Sequence, residues 1–282
     1  MKLLVRTLTG AAYVALMVFA TVFRPWTLLA LIVLLALLAV WEFARITSER
    51  FAVENTSRRS AETIALVLLS LTAVALPVAM YAVCRSADIN AVLAFAPYLL
   101  VVMLTFVVEL YARRADPLGN LGRMALAQVY VVLPLSLLSV LAFAPLQTAE
   151  RPFWALPLAV YVLLWLNDSG AYLVGSWLGR HKLFPRISPG KTWEGSIGGA
   201  IVALAAAVAL AHYFPFMPLW RWVGLALVVV LFGTWGDLVE SLIKRTLGLK
   251  DSGKLLPGHG GILDRIDSML LAVPATVVFL CL

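Results

Sequence analysis

Nine apolar runs divide the chain, at Leu8–Phe23, Leu28–Phe43, Ile64–Val83, Ala91–Leu110, Met124–Phe143, Trp154–Tyr172, Ile197–Tyr213, Trp220–Trp235 and Met269–Leu282. Each is long enough, or nearly so, for a helix to cross a hydrocarbon core of about 30 Å. Within lipid the backbone must satisfy its own hydrogen bonds, so such runs are read as helices. The pattern predicts an all-α, polytopic membrane protein with about nine transmembrane helices. The first two runs are separated only by Arg24-Pro-Trp-Thr27, which predicts a tight helical hairpin. The polar stretches that carry candidate chemistry all lie after residue 150. We therefore expect N-terminal transmembrane helices over 1–150 and a C-terminal transmembrane catalytic region over 151–282. The second region also carries Gly170, Gly175, Gly179, Gly195, Gly198 and Gly199, and small residues let helices approach closely in lipid. Trp26, Trp41, Trp154, Trp193, Trp220, Trp222 and Trp235 fall near run ends, as an aromatic belt would.

Charge refines this picture. Only 13% of residues are charged and 62% are hydrophobic, against about a quarter charged in soluble domains. If the runs alternate in direction, 18 of the 22 Lys and Arg residues fall on the N-terminal side of the membrane. That asymmetry predicts a cytoplasmic N-terminus and cytoplasmic polar stretches. It also accounts for the net charge of +7 without nucleic acid as a partner. Met1 to Phe23 has the basic start of a signal peptide but no small-residue cleavage site, and reads as an uncleaved first helix. Cys84 and Cys281 lie far apart and form no zinc motif, and read as small hydrophobes. His181 and His212 read as structural or interfacial.

The densest chemistry lies between the last two runs, from Gly236 to Ser268. Ionisable groups at such a boundary are costly and mark a functional site. Asp237, Ser241 and Lys244 recur at helical spacing, and Asp264 and Asp267 are three apart. Between them, Pro257-Gly-His-Gly-Gly supplies a pliant turn. Acids for a divalent metal, bases for phosphates and a turn make one constellation. The competing reading is that the acids pair with Lys244, Arg245 or Arg265 as helix-end ion pairs. His259 is either functional or a turn-stabilising group. A second polar stretch, Ser188 to Ser196, contains Gly190-Lys-Thr but no glycine at Pro185, so it is not a P-loop. It still offers Lys191, Thr192 and a helix start near Gly195, where backbone N–H groups favour anions. Asn167-Asp168 closes the apolar run Trp154–Leu166, either as a cap or as part of a site.

These stretches carry a resemblance. Ser241-Leu-Ile-Lys-Arg, Lys250-Asp-Ser-Gly and Pro257-Gly-His-Gly-Gly-Ile-Leu-Asp-Arg-Ile-Asp267, with Ser188-Pro-Gly-Lys-Thr-Trp-Glu-Gly-Ser196 and Asn167-Asp-Ser-Gly-Ala-Tyr172, resemble the phosphatidate cytidylyltransferase, or CDP-diacylglycerol synthase, family. The resemblance is strong from about Leu163 to Ser268. It departs at Gly190, where the family more often has lysine. It implies transfer of CMP from CTP to phosphatidic acid, giving CDP-diacylglycerol and pyrophosphate. It implies Asp237 and Asp264 as Mg2+ ligands, with Asp267 a ligand or an orienting group, and leaves room for a second metal or a monovalent cation. Lys244 and Ser241 join these as catalytic residues. Lys191, Thr192, Ser196, Asp168, Lys250, Asp251, His259 and Arg265 are the expected substrate-binding set, Asp251 as a loop or supporting group. It further implies a bacterial cytoplasmic (inner) membrane, contact with membrane lipids and room for a homodimer. The rivals are a CDP-alcohol phosphotransferase, whose Asp-Gly-x-x-Ala-Arg pattern is absent, a CTP-dependent polyprenol kinase, and an ion- or proton-coupled transporter.

Overall fold

The computed structural model describes residues 2–48, 56–86, 88–112, 114–146, 148, 150–253 and 260–282. The described chain is helical apart from one small hairpin and connecting loops. It forms two compact units, 1–144 with 251–263, and 145–250 with 264–282. Every predicted run lies on a helix. Seven helices among the described residues are long and apolar enough to cross a membrane. The described apolar part of the first, Thr7–Phe23, is shorter. The last carries Asp264, Arg265 and Asp267 in its opening turns. The protein is a multi-pass helical membrane protein.

In the first unit, α1 (Lys2–Phe23) and α2 (Pro25–Ser48) form the predicted hairpin. Pro25 opens α2, where its missing N–H costs nothing. The Thr27 hydroxyl accepts from Arg24 N–H at 3.0 Å and closes the turn. Leu28, Leu31, Ile32, Leu35, Ala39 and Phe43 place a buried stripe at helical spacing along α2. Next come α3 (Thr56–Arg85) and α4 (Ala91–Tyr111). Asn90 caps α4 by accepting from Val92 N–H. Thr105 and Glu109 of α4 are buried, whereas Leu93, Leu100, Met103 and Phe106 are exposed, an apolar surface left for lipid. α5 (Pro117–Ala127), a π segment (Gln128–Val132) and α6 (Leu133–Phe143) run on as one span. The π segment presents Gln128, whose amide donates to the Thr72 hydroxyl of α3 at 2.6 Å.

In the second unit, α7 (Ala155–Leu178) leads into β1 (Lys182–Phe184) and β2 (Ser188–Thr192), an antiparallel hairpin that the helical reading did not anticipate. α8 (Trp193–Tyr213), α9 (Leu219–Thr246) and α10 (Leu263–Cys281) complete it. α7 and α8 approach as their glycines predicted. A Cβ on Gly199 would lie 2.5 Å from the Asn167 carbonyl, and one on Gly195 would lie 2.8 Å from the Ala171 carbonyl. Trp222 departs from the expected belt. It is fully buried, donating to the Phe214 carbonyl and packing against Phe216.

Candidate active site

The β-hairpin ends in Thr192, whose hydroxyl caps α8 by accepting from Gly195 N–H at 3.2 Å. Glu194, in the first turn of α8, accepts from Arg180 and His181 N–H and meets the His181 ring at 2.5 Å. These bonds fix the hairpin on the helix start, and Lys191 immediately precedes the cap. Gly236 sets the other wall. A Cβ there would lie 2.5 Å from the Asp267 carbonyl, so only glycine allows α9 this close to the start of α10.

The result is a cavity of about 560 Å³ within the second unit. Asp168 from α7, Lys191, Thr192 and Ser196 from the hairpin and α8, Asp237 from α9, and Asp264, Arg265 and Asp267 from α10 all line it. Lys191 Nζ lies 2.7 Å from Asp237 Oδ2 and 3.4 Å from the Thr234 carbonyl. The two polar stretches thus meet through one ion pair. The Ser241 hydroxyl donates to Asp237 Oδ1 at 3.3 Å, as their helical spacing predicted. Asp264 stands in the first turn of α10, where the helix dipole favours an acid. Its Oδ1 lies 2.6 Å from Lys244 Nζ. Asp267 Oδ1 accepts from Ser268 N–H at 2.6 Å. Asn167 is buried against the cavity with its side-chain oxygen unpartnered.

Lys244 shares the continuous α9 with Asp237 and Ser241 but is not among the residues lining the cavity. It does not reach Asp237 but is held between Glu240, one turn earlier, and Asp264. With its side chain 11% exposed, it neutralises two near-buried acids. Glu240 was missing from the sequence-derived site. Its apolar neighbourhood in α9 was the available signal, because an acid there needs a partner. Lys250 and Asp251 are exposed, and Asp251 belongs to the first unit. His259 and Lys254 lie outside the described residues.

A second acid absent from the sequence-derived site is Glu42, buried near the end of α2. It accepts from the Ser252 hydroxyl and, at 2.6 Å, from Ile262 N–H. A Cβ on Gly253 would come within 3.0 Å of its carboxyl carbon. One carboxylate in the first unit therefore gathers both ends of the polar loop that joins α9 to α10. Ser252, Gly253, Gly261 and Ile262 belong to the stretch singled out in the sequence, and Glu42 explains why that loop needs a hydroxyl and small residues there.

Among the described residues, no three His, Cys, Asp or Glu side chains stand close enough to enclose a metal ion. Magnesium rarely uses an all-protein cage. It is held through one or two carboxylates, with waters and substrate phosphates completing the octahedron. Asp237 and Asp264, each paired with a lysine, and Asp267 on the same cavity wall fit that mode.

A multi-pass helical protein with a polar, acid- and lysine-lined cavity at its helix ends defines a membrane-embedded class of proteins. The chain matches the cytidylyltransferase family over residues 4–282 and belongs to that family. It is similar to a phosphatidate cytidylyltransferase of Staphylococcus aureus (strain COL), 49% identical over 124 residues, which is 44% of this chain and 48% of the relative. The corresponding proteins of Staphylococcus haemolyticus and Staphylococcus epidermidis are 45% and 44% identical over matches of the same length and shares. The chain spans about half the length of these curated relatives.

Proposed function

We propose that this protein is a phosphatidate cytidylyltransferase, joining CTP and phosphatidic acid to give CDP-diacylglycerol and pyrophosphate. The observation that carries the reading is the Lys191–Asp237 pair, which brings the two family-like stretches into one cavity with Asp168, Asp264 and Asp267. The similarity to staphylococcal phosphatidate cytidylyltransferases supports it.

An oxygen of the phosphatidate phosphate attacks the α-phosphorus of CTP. The new P–O bond forms as the bond to the β-phosphate breaks, and pyrophosphate leaves with that electron pair. A phosphate monoester loses its second proton at about pH 6, so the nucleophile needs no protein base. Catalysis then rests on positioning and on neutralising charge. Lys191 is partly exposed at the cavity and donates to phosphate. The Thr192 hydroxyl, which accepts from Gly195 N–H, keeps its own proton for a phosphate oxygen, and Ser196 lines the same cavity. Arg265 adds a cation on the opposite wall. Lys244 acts through Asp264, holding it charged and oriented. Asp237 and Asp264 would hold Mg2+, with Asp267 beside them. When bound, the ion would screen the triphosphate and stabilise the leaving pyrophosphate. The N-terminus and the cavity face the cytoplasm of a bacterial inner membrane, in keeping with the Lys and Arg distribution. CTP then enters from water and the lipid from the bilayer.

The test is product identity with purified protein, CTP, phosphatidate and Mg2+. A cytidylyltransferase releases pyrophosphate from this mixture; in parallel reactions, a polyprenol kinase leaves CDP when a polyprenol replaces phosphatidate, and a CDP-alcohol phosphotransferase releases CMP when a CDP-alcohol replaces CTP. Pyrophosphate release that requires both phosphatidate and metal is the expected result, and CDP or CMP as the product refutes the reading.

A further inference from the structure

A second cavity, of about 440 Å³, lies within the first unit where α2 ends and α3 and α5 begin. Arg45, Arg114 and Arg123 line it, and Glu62 is the only acid in its wall among the described residues. The excess of guanidinium over carboxylate selects an anion. Sequence reading treats these arginines as ordinary loop cations, yet the fold converges them from three separate stretches. Arg123 donates to the Thr47 carbonyl at 3.2 Å and to Asn120 Oδ1 at 3.1 Å, which fixes its fork. Arg114 donates to the same oxygen at 3.4 Å and pairs with Glu109 at 3.3 Å. Its Nη2 is buried with no acceptor. A buried guanidinium nitrogen lacking an acceptor is costly, and a phosphate oxygen supplies the missing partner with charge assistance.

The rest of the wall is apolar, including Leu66, Leu69 and Met124, and exposed Trp41 stands at its edge. The guanidinium of Arg45 lies 5.9 Å from the Trp41 ring. Tryptophan and arginine at helix ends sit at headgroup depth, and basic pockets between transmembrane helices take anionic headgroups. We propose that this cavity binds the phosphate of an anionic phospholipid, at a site separate from the candidate active site. Arg114 and Arg123 hold the phosphate, Arg45 closes over it, and the apolar wall receives the start of an acyl chain. The arginine chemistry alone would also accept free phosphate, so the test separates the two sources.

Full-length protein in neutral detergent is mixed with phosphatidylglycerol, phosphatidylcholine or millimolar inorganic phosphate. Retained lipid is counted by native mass spectrometry, and the thermal midpoint is followed in parallel. Wild type is expected to retain phosphatidylglycerol over phosphatidylcholine and to melt higher with it. Arg114→Gln is expected to weaken retention by about tenfold or more, equivalent to about 1.4 kcal/mol. Because Arg114 also pairs with Glu109, Arg45→Gln, at an exposed position, provides a second variant that leaves the core intact. It is expected to show the same loss in direction. Phosphate stabilisation abolished by both variants, with no lipid retained, assigns the arginines to a soluble anion and overturns the lipid reading. Equal retention of the two lipids, or retention unchanged in both variants, overturns the site.

Discussion

At the scale of residues, two lysines near the same cavity have different duties. Lys191 is partly exposed and meets a single acid, whereas Lys244 is enclosed by two. We predict that Lys191→Ala lowers turnover at least tenfold, about 1.4 kcal/mol, with little change in melting temperature. Lys244→Ala should also destabilise the protein by about 3–5 kcal/mol, because it strands Glu240 and Asp264 without their cation. Detergent thermal melts beside pyrophosphate release check both, and an unaltered melt for Lys244→Ala would return that lysine to the phosphate-binding role. Asp237→Asn and Asp264→Asn should each leave less than about a tenth of wild-type turnover at saturating Mg2+ while the protein still inserts. The Lys191–Asp237 meeting was legible because each partner sits in a dense polar stretch. The Lys244 environment was not. Spacing placed it with Asp237 on one face, but Glu240 at i−4 competes for it, and Asp264 arrives from another helix. Glu42 was less legible still, since its partners lie more than 200 residues away and a solitary acid in an apolar run does not name them.

At the scale of elements, the apolar runs gave the helices because lipid leaves the backbone few alternatives. The β-hairpin escaped notice because its strands are short and show no hydrophobic alternation. Its purpose is local: it delivers Lys191 to the start of α8. Helix spacing is set by glycines, and these differ in consequence. Gly236→Ala drives a Cβ to 2.5 Å from the Asp267 carbonyl, so α9 and α10 must separate. We predict at least a tenfold loss of turnover and about 1–3 kcal/mol of destabilisation. Gly122 and Gly190 have nothing within 4 Å of such a Cβ, and neither is at positive φ. Gly122→Ala and Gly190→Lys should therefore retain activity, the latter matching the residue more common in the resembling family. Parallel assays and melts of the three variants check this, and an active Gly236→Ala enzyme would show that the close approach is not needed.

At the scale of the whole molecule, the charge count predicts which polar segments share a side. Single cysteines at exposed Arg186, in the hairpin turn, and exposed Glu150, before α7, report opposite sides. With Cys84 and Cys281 replaced, an impermeant thiol reagent added to intact cells should label position 150 and spare position 186. The reverse pattern inverts the topology, and equal labelling breaks the alternation of spans. Glu42→Ala should lower turnover by about tenfold or more through release of the loop ends, with Glu42→Gln less affected because it retains an acceptor. Equal activity of Glu42→Ala and wild type would separate the loop from catalysis.

Glu42 also sets an order of events. Translation delivers α2 long before Ser252 and Ile262 exist, so these two contacts form only after more than 200 further residues have been made. The loop that Glu42 gathers is thus the last part of the first unit to be synthesised.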